Sequence, residues 1–389
     1  MADAPSPDPV ARARALGPLV AEAADEAERE RRLPERVAVA MAEAGLYRVA
    51  LPEVYGGLEC DPRTQIETIE AVSEADGAAG WNLMIGIENM GFLGPALAPA
   101  TAEKVFADPL LIVSGALNPL GRATPVEGGL RVDGRWPFAS GCHNAHYFWG
   151  QCVVYDGDAP AAGPHGGPML REVLLPRSEF EIADTWHVAG LRGSGSHDVV
   201  ARDLFVPDER VTCAMQAPLV LDHPIYKLPP MNRLAYNKVG VATGIARAAF
   251  AAFTELASET KRRGSSAPLR EKPAVQRAVA DAAIALGSAR AFVFETVEEI
   301  WQTVLAGDAT RPAQRARVHL ACSTAGRAAG DAVALLHEAA GSGVNFDGHP
   351  LERRLRDVRV VPQHLMVSPQ WLECSGGVLL GLSKELPFG

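Results

Sequence analysis

The hydrophobic period of the chain changes twice, and this limits its fold more than any other feature. From about residue 7 to 107, apolar residues fall at helical spacing. Ala15, Leu16, Leu19, Val20 and Ala23 make one stripe, and Val37, Val39, Met41, Ala42 and Leu46 another. From about Ile112 the spacing shortens. Leu130 to Trp136 alternates behind a Gly128-Gly129 turn, and Phe148–Tyr155, Leu170–Leu175, Phe180–Trp186 and Asp198–Val206 are further short strands. Past Pro229-Pro230 the helical period returns, in segments of about Arg233–Arg262, Pro273–Leu305, Pro312–Ala340 and Pro362–Ser383. The expected class is α+β and multidomain: an N-terminal α-helical domain (1–110), a middle antiparallel β domain (111–222) built as a compact sandwich or barrel, and a C-terminal helical bundle (223–389). Gly157–Gly167 is expected to be a surface loop.

Charge and cysteine usage remove several function classes. The net charge is −10 and the Lys and Arg residues are scattered, which gives no basic face for nucleic acid. No signal-like apolar segment opens the sequence. The most apolar helical stretch, Val239–Phe253, is broken by Arg247 and bordered by Lys238 and Glu255, so no membrane span is expected. The six cysteines contain no CxxC pair, which argues against a disulfide framework or a zinc site; no metal is expected, and the reduced thiols fit a cytoplasmic protein.

Two segments carry polar groups suited to a flat ligand. Gly134-Arg-Trp-Pro-Phe-Ala-Ser-Gly-Cys-His143 is an aromatic strand that ends in a small polar Ser140-Gly141 pair. Asp184-Thr-Trp-His-Val-Ala-Gly-Leu-Arg-Gly-Ser-Gly-Ser-His-Asp198 packs glycines and serines into a tight loop of backbone donors. An aromatic wall with hydroxyl and N–H groups beside it suits a hydrogen-bonding ring system. Taken alone, aromatic strands are core more often than cofactor walls. No P-loop, dinucleotide fingerprint, HExxH helix or GxSxG elbow is present.

Both segments resemble the middle β domain of the acyl-CoA dehydrogenase superfamily, in which such a strand lies against a flavin ring. Ala42–Gly57, with its Pro52-Glu-Val-Tyr-Gly-Gly57 run, resembles that family's N-terminal signature; Gly240–Leu256 resembles its first long C-terminal helix, and Arg356-Asp357 its Arg-Asp step. The resemblance covers nearly the whole chain in order, and implies the acyl-CoA dehydrogenase fold with a four-helix bundle at its C-terminal end. The long apolar C-terminal helices exceed what one domain needs to cover itself, so a homotetramer with the flavin near a subunit interface is expected.

The dehydrogenases of this family commonly place a catalytic Glu a few residues after the Arg-Asp step. Here that place reads His364-Leu365. A histidine there resembles the two-component flavin monooxygenases of the 4-hydroxyphenylacetate hydroxylase and dibenzothiophene monooxygenase type. That branch implies a reduced flavin (FMNH2 or FADH2) delivered by a separate NAD(P)H-dependent flavin reductase, O2 as co-substrate, and a small aromatic or apolar substrate. His364 and Ser140 are the expected catalytic residues. With a pKa near neutrality, His364 would also serve to deprotonate a phenol. The resemblance assigns Phe138, Ser140, Trp186, Ser194, Arg262, Arg270, Ser342 and Gly343 to the flavin, and Trp81, Glu88 and Asn89 to the substrate. One departure bears on substrate class: several monooxygenases of this branch carry a histidine on the helix after Trp81, where this chain has Glu88 and Asn89 and Glu88 could simply be solvated. Two alternatives stay open at this point, an FAD-containing acyl-CoA dehydrogenase with a relocated base and a non-catalytic family member.

Overall fold

The structure, a computed structural model, describes residues 8–164, 166–216, 219–261 and 267–382. Helices come first: α1 (Pro9–Ala15), α2 (Gly17–Glu30), α3 (Glu35–Glu43), α4 (Pro62–Ala75), α5 (Gly77–Leu93) and α6 (Pro99–Val105). Local chemistry sets their starts. Asp61 accepts the Thr64 N–H and Asp76 accepts the Ala79 N–H, so each carboxylate caps the helix that follows it. Pro62 occupies a first-turn position where no N–H is needed.

The middle of the chain forms one eight-stranded sheet: β1 (Val113–Val126), β2 (Gly129–Trp136), β3 (Tyr147–Asp156), β4 (Ala159–Pro160), β5 (Leu170–Pro176), β6 (Glu181–Ala183), β7 (Asp198–Pro207) and β8 (Val211–Thr212). Their order is β6-β7-β2-β1-β3-β5-β8, with β4 folded back on β3. The β1–β2 hairpin turns at Gly128, whose φ of 75° is open to glycine. The sheet is mixed where pure antiparallel pairing was expected, because β1 runs parallel to β3 with Val113 opposite Tyr147. The connection from β1 to β3 passes through β2 and the Pro137–His146 loop, which returns the chain to the same end of the sheet. Strand β6 is shorter than the expected Phe180–Trp186 segment, and the loop after Gly157 contributes the two-residue β4.

The C-terminal part contains α7 (Pro224–Lys227), α8 (Pro230–Glu259), α9 (Pro273–Leu305), α10 (Pro312–Ala340), α11 (Pro350–Val360) and α12 (Gln370–Leu379). Helix α8 packs along α4 and α10. Its contact with α4 is close because Gly240 and Gly244 have no side chain: a Cβ there would lie 2.7 Å from the Ile66 carbonyl oxygen and 2.5 Å from that of Glu70. At 30 residues, α8 has the length expected of the Arg233–Arg262 segment but starts three residues earlier, and by length and composition alone it could cross a membrane. Its Asn232, Arg233, Asn237 and Lys238 are instead buried inside the protein, as a core helix requires.

The expected single helix over Pro362–Ser383 is two short turns and a helix. After α11 come turns at Val361–Gln363 and Leu365–Val367, with His364 extended between them at ψ 135°. Pro362 has no N–H to continue α11, and Pro369 precedes α12. Among the described residues, apolar burial forms two cores. One runs through the helices from both ends of the chain; the other, around Trp136, Phe148, Cys152 and Val199, belongs to the sheet.

Candidate active site

The strand side of the site begins where β2 ends. Phe138 holds a left-handed backbone at φ 62° and is 61% exposed, an unusual state for a large apolar residue. Its ring meets Trp186 edge-on at 6.0 Å between centroids. Trp186 is anchored twice: its Nε1–H donates to the Leu191 carbonyl (3.2 Å) and its backbone N–H to His197 Nδ1 (3.2 Å). Gly141 follows at φ 75°, where a Cβ would stand 2.4 Å from Asn82 Oδ1.

Three buried serines stand behind this wall. The Ser140 and Ser196 hydroxyls lie 2.7 Å apart, and Ser196 lies 2.7 Å from Ser194. Ser114 Oγ donates to the Ser140 carbonyl at 2.8 Å, and Asn82 Nδ2 to that of Ser194 at 3.3 Å. The β-domain loops are thereby tied to one another and to α5.

The helical side is assembled from α5, α8 and the segment after α11. Trp81 Nε1–H donates to Ser140 Oγ at 3.0 Å and links the two sides. The His364 ring lies edge-on to Trp81, with centroids 5.6 Å apart. His364 is half-buried, and its Nδ1 accepts the Met366 N–H at 3.2 Å. Among the described residues no hydrogen bond occupies Nε2. The turn is held from behind by Trp371 Nε1–H, which donates to the Leu365 carbonyl at 2.7 Å, and Trp371 is stacked flat on the buried His319 at 3.7 Å.

One helical turn pair beyond Trp81, Glu88 receives Lys238 Nζ at 2.8 Å on each carboxylate oxygen, and both side chains are almost fully buried. Glu88 is therefore an ion-pair partner and not a solvated residue. Burial raises its carboxyl pKa, offset in part by the lysine. For His364, burial and then the Lys238 cation hold the imidazole well below its ordinary range, against the near-neutral value expected from sequence. Asn89 Nδ2 donates to the Val113 carbonyl at 3.1 Å and pins α5 to the start of β1.

A seam joins the two sides. Asp357 on α11 accepts the Leu191 N–H at 2.6 Å, where Leu191 is left-handed at φ 52°. Arg356 Nη1 donates to the Ala189 carbonyl and to Glu28. This fixes the loop that carries Trp186 and Ser194.

Phe138, Ser140, Trp186, Ser194, Trp81 and His364 thus come together, although they are far apart in sequence. Arg262 lies outside the described residues. Arg270, Ser342 and Gly343 are exposed, and among the described residues no hydrogen bond or ring contact ties them to the serines. Ser342 and Gly343 share a short turn with Asn345, which lines a 420 Å³ cleft together with Ala189, His337, Arg356, Arg359 and Gln363. Lys238 and Ser196 escaped the sequence reading. A lysine bordering an apolar helix, facing a glutamate inside another apolar helix, was the available signal.

The carboxylate that a dehydrogenase would need is absent from the segment after Arg356-Asp357: Leu365 takes its place, and His364 faces Trp81. The acyl-CoA dehydrogenase N-terminal domain family matches residues 14–104 and the C-terminal domain family residues 237–369, together more than half of the chain. An indole-3-acetate monooxygenase of Pseudomonas putida is 33% identical over 362 residues, covering 93% of this chain and 90% of its own length. The flavin-dependent monooxygenase oxygenase subunit HsaA of Mycobacterium tuberculosis is 29% identical over 373 residues, covering 91% and 90%. The solved structure of XiaF from Streptomyces sp., in complex with FADH2 and glycerol, superposes with a TM-score of 0.88 at 26% identity, covering 97% of this chain and 96% of its own. The chain belongs to the acyl-CoA dehydrogenase family, in its flavin-dependent monooxygenase branch.

Proposed function

We propose that this chain is the oxygenase component of a two-component flavin-dependent monooxygenase. It takes reduced flavin, FMNH2 or FADH2, from a separate NAD(P)H-dependent reductase, and uses O2 to hydroxylate or oxygenate a small aromatic or apolar substrate. The observation that carries this is the meeting of His364, Trp81 and Ser140 at the place where a dehydrogenase would hold its carboxylate.

The residues present fit a flavin ring. Phe138 exposes its ring from a strained backbone beside Trp186, and such a surface is stabilised when a flat apolar system covers it. Ser140 and Ser194, buried behind Phe138 and Trp186, would hold in place the loops that meet the polar edge of the ring. When bound, reduced flavin supplies the two electrons with which O2 yields one oxygen atom to substrate and one to water.

The protein's own part is binding, orientation and exclusion of water. Trp81 forms the substrate wall, while Glu88 and Asn89, both engaged, set its shape. His364, its ring edge-on to Trp81, would present Nε2, which has no hydrogen bond among the described residues, as its group for substrate. The apolar walls around Trp81 and Phe138 would keep water away from the reacting atoms.

The rest of the reading follows the family. A homotetramer fits the side chains of Ile284 on α9 and Leu335 on α10, which are 68% and 38% exposed on long bundle helices. A cytoplasmic place fits a supply of NAD(P)H. The divisions 1–110, 111–222 and 223–389 serve as working domain boundaries. The test combines purified protein, an NAD(P)H-dependent flavin reductase, FMN or FAD, and indole-3-acetate among a panel of small aromatic substrates. Oxygenated product in step with NAD(P)H use is the expected result; a yellow protein bleached anaerobically by an acyl-CoA would return the dehydrogenase reading.

A further inference from the structure

The turn that carries His364 also determines where its proton sits. A neutral imidazole has one donor and one acceptor nitrogen. Nδ1 accepts the Met366 N–H at 3.2 Å and caps the Leu365–Val367 turn, so the ring proton belongs to Nε2. A second proton would have to go onto Nδ1, where it would face another donor and break the cap. Turning the ring over would put a carbon against the same N–H.

The charged and titratable groups around the ring oppose that second proton. From α8, the Lys238 ammonium acts on His364, and burial acts in the same direction. From α5, Glu88 could have attracted a proton, but both of its oxygens are held by Lys238 at 2.8 Å. From α10, His319 lies beneath Trp371 and is itself lowered to about 3 by burial, so it stands neutral and offers no charge to stabilise an imidazolium. The backbone is fixed as well: Ser323 Oγ donates to the Ser368 carbonyl at 3.2 Å, and Trp371 holds Leu365.

We propose that His364 is a fixed neutral hydrogen-bond donor through Nε2, and that it does not take a proton from the substrate. The ring that this enzyme oxygenates is then one that reacts without ionisation by the protein. An electron-rich neutral heteroaromatic such as an indole meets that condition; a phenol that must first become phenolate does not. The inference rests on the oxygenase reading above and assigns it a substrate class.

The first test reads the histidine itself and needs no turnover. In full-length protein labelled with ¹⁵N-histidine, the His364 resonances are assigned by their loss in His364→Gln. The expected spectrum has a protonated Nε2 and an unprotonated Nδ1 that stay unchanged from about pH 8 to 6, below the ordinary histidine value of about 6.5. Imidazolium shifts within that range, or a proton on Nδ1, would overturn the proposal.

The second test uses coupled product formation with the reductase supplied. His364→Gln keeps an N–H near the ε position and cannot act as a base, so it should exceed His364→Ala by about 10²-fold, the scale of one oriented donor. Equal loss in the two variants sinks the donor role. Indole and phenol are then compared as substrates, and oxygenation of phenol at the rate of indole would overturn the substrate class. Oxygenation of neither ring by the wild type would count against the oxygenase reading itself, while the ¹⁵N result would still decide the state of His364.

Discussion

The two sides of the site are built on different principles. On the strand side, Ser140, Ser194 and Ser196 form a neutral network in which each hydroxyl has a close neighbour, and the parts come from two continuous stretches of sequence. On the helical side, Trp81, Glu88, Lys238 and His364 come from three distant segments, and a buried ion pair stands at their centre. Neutral hydroxyls cost little to bury when paired, so the strand side can be a local motif. A buried ammonium and carboxylate are costly unless each has the other, so neither could be placed without the fold that delivers both. The difference suggests a division of labour: the strand side offers a surface for a flat ring, and the helical side sets the charge state of the group that works on the substrate.

The strongest way to separate the two sides is to remove His364. His364→Ala should lower coupled product formation by about 10²- to 10³-fold, the scale of one oriented hydrogen-bond donor, with folding and flavin affinity largely kept, because the ring touches the helical side alone. The readout is product against hydrogen peroxide released, and unchanged coupling would make this histidine structural. Next comes the ion pair. Glu88→Ala leaves a buried ammonium without its partner and should cost about 3–5 kcal/mol in urea unfolding, whereas Glu88→Leu combined with Lys238→Met should be near neutral. Similar losses in both would show that Lys238 has another partner.

The strand side should respond more weakly. Ser196→Ala leaves Ser140 and Ser194 each short of a neighbour and should cost roughly 1–3 kcal/mol. Ser140→Ala should mainly weaken flavin binding and raise peroxide release, which titration of reduced flavin and a peroxide assay would measure. A pH-dependent test is available at the seam. Burial, and then the Asp76 charge, push the Asp357 carboxyl from 3.8 up to about 7. The folded protein therefore holds a proton that the unfolded chain releases, and this contribution to stability is lost as pH rises from about 4 through 7. Asp357→Asn can still accept the Leu191 N–H and should flatten the fall in Tm over that window. A slope identical to wild type would place the titration elsewhere.

Much of the strand side was legible in advance. The Trp136–His143 and Asp184–Asp198 stretches advertise aromatic, glycine and serine chemistry by composition, and their residues meet because each loop is short. The hairpin at Gly128 and the starts of α4 and α5 at Asp61 and Asp76 were open to local rules of turn and cap. The parallel pairing of β1 with β3 was not, since it depends on a return through the loop after Trp136 that no period reveals. Helix α11 and the turns after it were also hidden, because Pro362 lies inside an otherwise helical pattern. The functional weight of His364 was legible only through its place after Arg356-Asp357.

By itself, the sequence determined which segments could be helix or strand, which polar groups were available, and that the dehydrogenase carboxylate is replaced by His364-Leu365. Those properties reside in side-chain type and spacing, which act within a few residues. The tertiary structure alone decided that Glu88 is engaged by Lys238, that Asn89 is engaged with the Val113 carbonyl, and that His364 has Nδ1 committed to Met366. The charge on an ionisable group depends on how much water is removed from it and on which charges stand within a few ångströms, and only a folded chain sets those two conditions.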